Sequence, residues 1–421
     1  MPDDVMISVQ SLADLAEVVR QGRWAAQGAP FMARQATLSR LATALDEAQD
    51  DILEANTLDL EASLEMAVPE LVLDWLRLTP DRLHTATATL RRLAALDIPA
   101  PLLGGWGMAG TPYGLDRVAQ RQWVPLGVIA LVYEALPELA VIAAGLCLHT
   151  GNSLLLKGGN EASQTNLTIA TVFHTVLAES SLHPGLIQAI SAREGESARR
   201  WLMQSPDLDL LIPYGRPSLV QQVCREAQAP VLAPALGNCY LYWSVSGQVK
   251  TVATMVIESH RGSPDPVNCV EKVLIDDQVP QVAIAELQHL LQTTLTVKVL
   301  EPGTTPTTMG DESWKHTSLQ RTVWLCRVPD MSTAIAWINR YSSGHADSIA
   351  TESYEDSYQF AQGLRSATVY INESPRFIRN PAQSGAIALG MAAQHGPYRG
   401  RITREAFLAP KSVIQGLSSR L

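Results

Sequence analysis

The chain has 421 residues, 46% of them apolar and 18% charged, with a formal net charge of -10. That length suffices for a large core over more than one domain, and the composition excludes collagen-like, disulfide-miniprotein and disordered classes. With 32 Lys plus Arg against 42 Asp plus Glu and no basic run, nucleic acid is not an expected partner, and the low charge content points to a homo-oligomer whose subunits cover one another.

The N-terminus, Met1, Pro2, Asp3 and Asp4, is acidic and lacks the basic-then-apolar order of a signal peptide. Five cysteines, Cys147, Cys224, Cys239, Cys269 and Cys326, lie far apart without a C-x-x-C pair. This spacing fits a reducing cytoplasm rather than a disulfide framework or a metal site, and leaves one of them available as a nucleophile.

The first hundred residues read as helices. Leu38, Leu41, Leu45, Ala48 and Ile52 recur at steps of three and four and predict one continuous amphipathic helix. The stretch from 101 to 123 is mixed and extended, a protruding ribbon. The longest apolar run, 124–148, carries Glu134 and Glu138 near its middle. An acidic side chain there costs about 2.5–3.5 kcal/mol in a bilayer, so the run predicts a buried segment and no membrane span.

From Val124 strand-like and helix-like runs alternate, with strands expected at 127–133, 153–157, 186–190, 208–212 and 230–233 and helices at 138–149, 163–177, 194–203 and 217–227. Successive βαβ units of this kind predict a doubly wound parallel sheet. No G-x-G-x-x-G occurs within these units, which disfavours an ordinary dinucleotide-binding dehydrogenase. After Val245 a second set begins, with strands expected at 271–275, 297–300, 323–327, 348–351 and 368–372. The tail from 396 has Arg399, Arg401 and Arg404, then an apolar 407–413 run expected to pair with the 108–123 ribbon or with another subunit.

Several motifs then carry a resemblance. Val124-Pro125-Leu126-Gly127 leads into Tyr133-Glu134-Ala135-Leu136-Pro137-Glu138. Lys157-Gly158-Gly159-Asn160-Glu161-Ala162, Ile212-Pro213-Tyr214-Gly215, Gly237-Asn238-Cys239-Tyr240, Gly344-His345-Ala346-Asp347 and Val369-Tyr370-Ile371-Asn372 follow in order. The chain resembles the γ-glutamyl phosphate reductases of proline biosynthesis, within the aldehyde dehydrogenase superfamily. The resemblance implies an α/β, aldehyde dehydrogenase-like fold of two doubly wound domains with a small oligomerisation arm. It implies a cofactor-binding domain of 1–107 and 124–245, a catalytic-type domain of 246–395, and an oligomerisation element of 108–123 and 396–421. It further implies NADP (NADPH) as cofactor and a small acidic substrate, γ-glutamyl phosphate, reduced to glutamate 5-semialdehyde through a cysteine thiolate. Lys157, Gly158 and Gly159 match the strand end that reaches the adenosine ribose. Gly215 opens a helix whose N-terminus suits a pyrophosphate, or is a plain turn glycine. Glu138 either caps a helix start or serves the reaction, since some members carry Glu there. His345 is either a site residue or a loop histidine bonded to Asp347.

The nucleophile segment departs from the family's Q-x-P-x-x-C-N-x-x-E. Here it reads Gly262-Ser263-Pro264-Asp265-Pro266-Val267-Asn268-Cys269-Val270-Glu271, so that Asn268 keeps its place while Val267 stands at the cysteine position. Cys269 lies two residues on, roughly 6.6 Å along an extended chain, whereas a reacting group must be held within about 0.5 Å. Leu136, Tyr214, Tyr240 and Ala388 stand where the family has Arg, Arg, His and an acid. Three readings follow: a reductase impaired by the loss, an active reductase using a displaced Cys269, and a non-catalytic binding or assembly partner.

Overall fold

The computed structural model describes residues 5–97, 117–191, 195–261, 266–300, 314–393 and 399–416. Of the expected elements, the 101–116 part of the ribbon, the 262–265 run with Pro264, and the 396–398 and 417–421 parts of the tail lie outside these. The chain forms two compact units, Met1–Val231 with Asn380–Leu389 and Thr403–Leu421, and Leu232–Arg379 with Gly390–Ile402.

The first unit opens on β1 (Met6–Ile7) and five helices: α1 (Leu12–Gln27), α2 (Phe31–Glu47), α3 (Gln49–Glu65), α4 (Glu70–Leu76) and α5 (Pro80–Ala94). The apolar stripe read as one helix is divided between α2 and α3. Ala48, at φ −89° and ψ 12°, leaves the helical region and turns the chain without a glycine or proline to announce it. Next come β2 (Arg117–Pro125), β3 (Val128–Tyr133), α6 (Glu138–Thr150), β4 (Ser153–Gly158), α7 (Ser163–Ala178), β5 (Ile187–Ile190), α8 (Gly195–Gln204), β6 (Leu210–Tyr214) and α9 (Pro217–Glu226). The sheet is parallel in the order β1-β5-β4-β3-β6. Every residue of β3 and of α6 is buried. That is why 124–148 reads as a long apolar run: a strand and a helix covered on all sides show no polar face. The run expected as a strand at 230–233 makes only an isolated bridge, Leu211 to Val231.

The second unit contains β7 (Cys239–Trp243), α10 (Val249–Ser259), β8 (Val270–Asp276), α11 (Gln281–Gln292), β9 (Thr296–Val299), β10 (Thr322–Val328), α12 (Met331–Tyr341), β11 (Asp347–Ala350), α13 (Tyr354–Gly363) and β12 (Val369–Ile371). Its parallel sheet runs β12-β11-β7-β8-β10-β9. Because β7 pairs with β8 and β11, the second sheet begins before the expected division at 245/246. A short antiparallel pair, β13 (Met391–Ala392) with β14 (Gly400–Arg401), belongs to the same unit. In the first unit β15 (Leu408–Gly416) returns along β2 as a two-stranded antiparallel ribbon, the partner expected for the apolar tail. Among the described residues no helix is long and apolar enough to cross a membrane.

Candidate functional site

In the second unit, β7 and β8 lie side by side and bring Cys239, Val267, Asn268 and Cys269 to one end of the sheet. Val267 is 1% exposed and packs among Cys239, Ala346 and Met391, with Leu236, Tyr370 and Phe377 at the margin. Its backbone is held as firmly as its side chain: the carbonyl accepts from the Gly237 amide at 3.1 Å and from His345 Nε2 at 2.7 Å. Cys269, also buried, donates from Sγ to the Ser259 carbonyl at 3.4 Å, while its own carbonyl accepts from the Cys239 amide. These anchors hold Cys269 away from the place where Val267 stands.

Cys239 Sγ lies 3.3 Å from His345 Nε2, the separation of a thiol and its base. The proton inventory rules this out. The Val267 carbonyl can only accept, so Nε2 carries the proton, and Nδ1 lies 2.9 Å from Ser343 Oγ. Nε2 therefore cannot take a proton from Cys239. Burial lowers the His345 pKa to about 4, so the ring is neutral. Burial, and next the Asp347 carboxylate, push the Cys239 thiol well above its ordinary value. Burial likewise raises Cys147 and Cys224, and takes Cys326 up to about 11. An activated cysteine has a lowered pKa, the opposite of this.

His345 does not pair with Asp347 as a loop histidine would; it spans Val267, Ser343 and Cys239. Asp347 is a separate hub, accepting from the Tyr240 amide at 2.8 Å and from the hydroxyls of Ser342 and Ser366, and burial raises its pKa to about 6. Glu271 and Lys272 form a buried ion pair at 2.9 Å. Glu271 also takes the amides of Ser318 and Leu319, and Lys272 binds Asn238 and the His316 carbonyl. These groups tie loops to β8 and present no free charge. Tyr240, where the family has His, is buried with its hydroxyl on the Trp314 carbonyl; Ala388, of the first unit, is buried there.

In the first unit, Lys157 is buried at the end of β4 with Nζ 3.0 Å from the Gly158 carbonyl. Gly215, at φ +158°, turns β6 into α9. The first amide of that helix end, Arg216 N, is taken at 2.9 Å by Glu134, which also binds the Arg216 guanidinium at 3.0 and 3.1 Å. Side chains of this same chain stand where Cβ atoms of the three glycines would be: Asn166 at Gly158, Glu161 at Gly159 and Glu134 at Gly215. The glycine-opened helix start and Arg216 at the carboxyl edge of the parallel sheet offer donors of the kind a phosphate accepts, and Glu134 holds them here. Glu138 does not cap α6, whose start at Pro137 has no side-chain cap. It is 4% exposed and bonds Arg82 Nε at 3.0 Å. Arg82 precedes it by 56 residues, so no local pattern announces the pair.

Sequence reasoning also missed a basic set in the second unit. Asn268 donates from Nδ2 to the Pro375 carbonyl at 2.6 Å, and Arg376 follows directly. Arg379 lies over the Phe377 ring at 5.2 Å, and Arg401 hydrogen-bonds Tyr370. The signal available was the R-x-x-R spacing of 376–379.

The aldehyde dehydrogenase family model matches residues 8–239. Over 94% of its length the chain is 42% identical to γ-glutamyl phosphate reductase 2 of a Synechocystis species, covering 96% of that protein. It is 32% identical to the γ-glutamyl phosphate reductase of Gloeobacter violaceus, with 97% of each covered. The crystal structure of γ-glutamyl phosphate reductase from Thermotoga maritima superposes with a TM-score of 0.84 at 26% identity, over 97% of this chain and 99% of that one. An NADP-dependent glyceraldehyde-3-phosphate dehydrogenase from Bacillus halodurans, complexed with NADP, shares the fold: TM-score 0.69, 17% identity, 97% and 92% covered.

Proposed function

The chain belongs to the γ-glutamyl phosphate reductases of the aldehyde dehydrogenase family, and from that premise we propose that it has lost the thiol chemistry of γ-glutamyl phosphate reduction while keeping the fold that binds its reactants. The parent reaction needs a thiolate to attack the acyl carbon and expel phosphate. The nicotinamide, when bound, supplies the hydride that releases the aldehyde.

The observation that carries this reading is Val267: side chain sealed in an apolar cluster, carbonyl held by Gly237 and His345. A register shift that delivered Cys269 would break both carbonyl bonds and the Cys269–Ser259 bond. Breaking them leaves buried polar groups unpaired at about 1–3 kcal/mol each. Removing a catalytic nucleophile costs several orders of magnitude in rate.

In this reading Lys157, Arg216 and the start of α9 hold a nicotinamide dinucleotide, NADP by family descent. The ribbon of β2 and β15 joins copies of the chain, and the free cysteines suit a reducing cytoplasm. The protein then acts as a binding or assembly member of its family. Assay of the purified chain with glutamate 5-semialdehyde, phosphate and NADP tests it: no reduction of NADP is expected, and turnover that Cys269→Ser abolishes would restore the reading of an active reductase.

A further inference from the structure

The first unit also carries a cleft away from the Arg216 helix end. It measures about 270 Å³ and lies between the end of α5, the 381–387 segment and the 403–405 turn, all within that unit. Arg404, on its wall, donates from Nη1 to His149 Nε2 at 3.4 Å, in the last turn of α6. Glu134, which holds Arg216, lies just before the first turn of the same helix. The length of α6 therefore puts about 20 Å between the two places.

The wall divides by chemistry. Leu93, Leu96, Pro381 and Ile387 supply an apolar side, and Arg92, Arg404 and Glu405 a charged one. Glu405 is already engaged, accepting from Thr403 Oγ1 and from Arg404 Nε at 3.1 Å. Arg404 Nη1 also donates to the Asp97 carbonyl at 2.9 Å, so the guanidinium is anchored along one flank, while its Nη2 makes no hydrogen bond among the described residues. Arg92, exposed at the end of α5, makes neither a hydrogen bond nor an ion pair among them. Burial, and next the Arg404 charge, lower the His149 pKa to about 4, so that ring is neutral. Two guanidiniums against one carboxylate leave one excess positive charge.

We propose that this cleft is a second binding site, for a small aliphatic monocarboxylate held by Arg92 and Arg404. A guanidinium offers paired donors matched to a carboxylate, and an anchored one gives up little freedom when it binds. One excess charge matches one anionic group better than the two charges of a phosphate. The apolar side takes the hydrocarbon body, which leaves water as the carboxylate is bound. Neither the lost thiol nor the dinucleotide enters this assignment.

The test is calorimetric titration of the full chain with 4-methylpentanoate, acetate, 4-methylpentan-1-ol and inorganic phosphate. Wild type is expected to bind 4-methylpentanoate about tenfold more tightly than any of the others, because each lacks the hydrocarbon body or the single negative charge. Arg92→Met and Arg404→Met are each expected to weaken it about fivefold, the effect of one hydrogen bond to a charged group. Leu96→Asn lowers the preference over acetate. Thermal unfolding establishes that each variant is folded, and Arg92→Met, which breaks no hydrogen bond among the described residues, decides the question by itself if Arg404→Met is not. Absence of binding to wild type, equal affinity for phosphate or for the alcohol, or unchanged affinity in folded Arg92→Met overturns the proposal. Turnover by wild type would overturn the loss of chemistry and leave this site standing.

Discussion

His345 donates from Nε2 to the carbonyl oxygen of Val267 across 2.7 Å, and this bond fixes the ring's tautomer, the backbone at the nucleophile position and the idleness of Cys239 together. It also makes stability depend on pH. Burial holds the folded pKa of His345 to about 4, while an unfolded histidine titrates at about 6.5. Between these the unfolded chain binds the extra proton, so this contribution is complete above about pH 6.5 and is lost as pH falls toward 4. Asp347, raised to about 6 in the folded state, acts the other way: there the folded chain binds the proton, which offsets the loss.

His345→Gln should therefore lower stability at pH 7 by about 1–3 kcal/mol, for the lost buried hydrogen bond. On acidification to pH 4.5 it should lose less than wild type, because the variant has no His345 titration to lose while the Asp347 contribution is common to both. Urea unfolding at the two pH values checks this, and parallel losses in both proteins would count against the assignment.

Glu138 offers a second separation of structural from chemical roles. Its side chain and that of Arg82 are 5% and 12% exposed, so removing the carboxylate strands a guanidinium. Glu138→Ala is expected to destabilise by about 3–5 kcal/mol, and the paired change Glu138→Met with Arg82→Met by less. A Glu138 that served only the reaction would leave thermal unfolding untouched.

The fold was legible where burial on both sides erases polarity, as in β3 and α6, and where turn residues separate short runs, as around β4 and β6. β7 escaped notice for a related reason: Cys239–Trp243 is buried throughout and shows neither alternation nor a distinctive flank. Val267 was legible because one residue in a short motif decides the chemistry. The clamp that makes its position rigid was not, since His345 lies 78 residues away and its partner is a backbone carbonyl, which sequence does not encode. Glu134 on the α9 amide escaped for the same reason, being 82 residues from Arg216.

The ribbon predicts association. Among the described residues β2 and β15 pair only with each other, and Val413 and Ile414 are 39% and 42% exposed on β15. An isolated two-stranded sheet is marginal in water, and covering it with another copy removes both open edges. Light scattering at micromolar concentration should give a multiple of 45.7 kDa, reduced toward the monomer by Val413→Lys with Ile414→Lys. A monomeric wild type would remove the assembly role.

Dinucleotide binding should respond in opposite directions to two charges in the first unit. Lys157→Ala removes a cation from the strand end and is expected to weaken NADP at least fivefold. Glu134→Gln removes the anion held on the Arg216 amide and is expected to tighten NADP. Fluorescence titration distinguishes these, and a tightening by Lys157→Ala would reverse the assignment.

The most direct measurement compares wild type, Val267→Cys and Cys269→Ser in reduction of NADP by glutamate 5-semialdehyde and phosphate. Wild type and Cys269→Ser should be equally inert. Val267→Cys should gain a small, thiol-dependent rate that alkylation abolishes, limited by burial of the new thiol and by the buried Tyr240. Robust wild-type turnover lost in Cys269→Ser would contradict the loss of chemistry and make Cys269 the nucleophile.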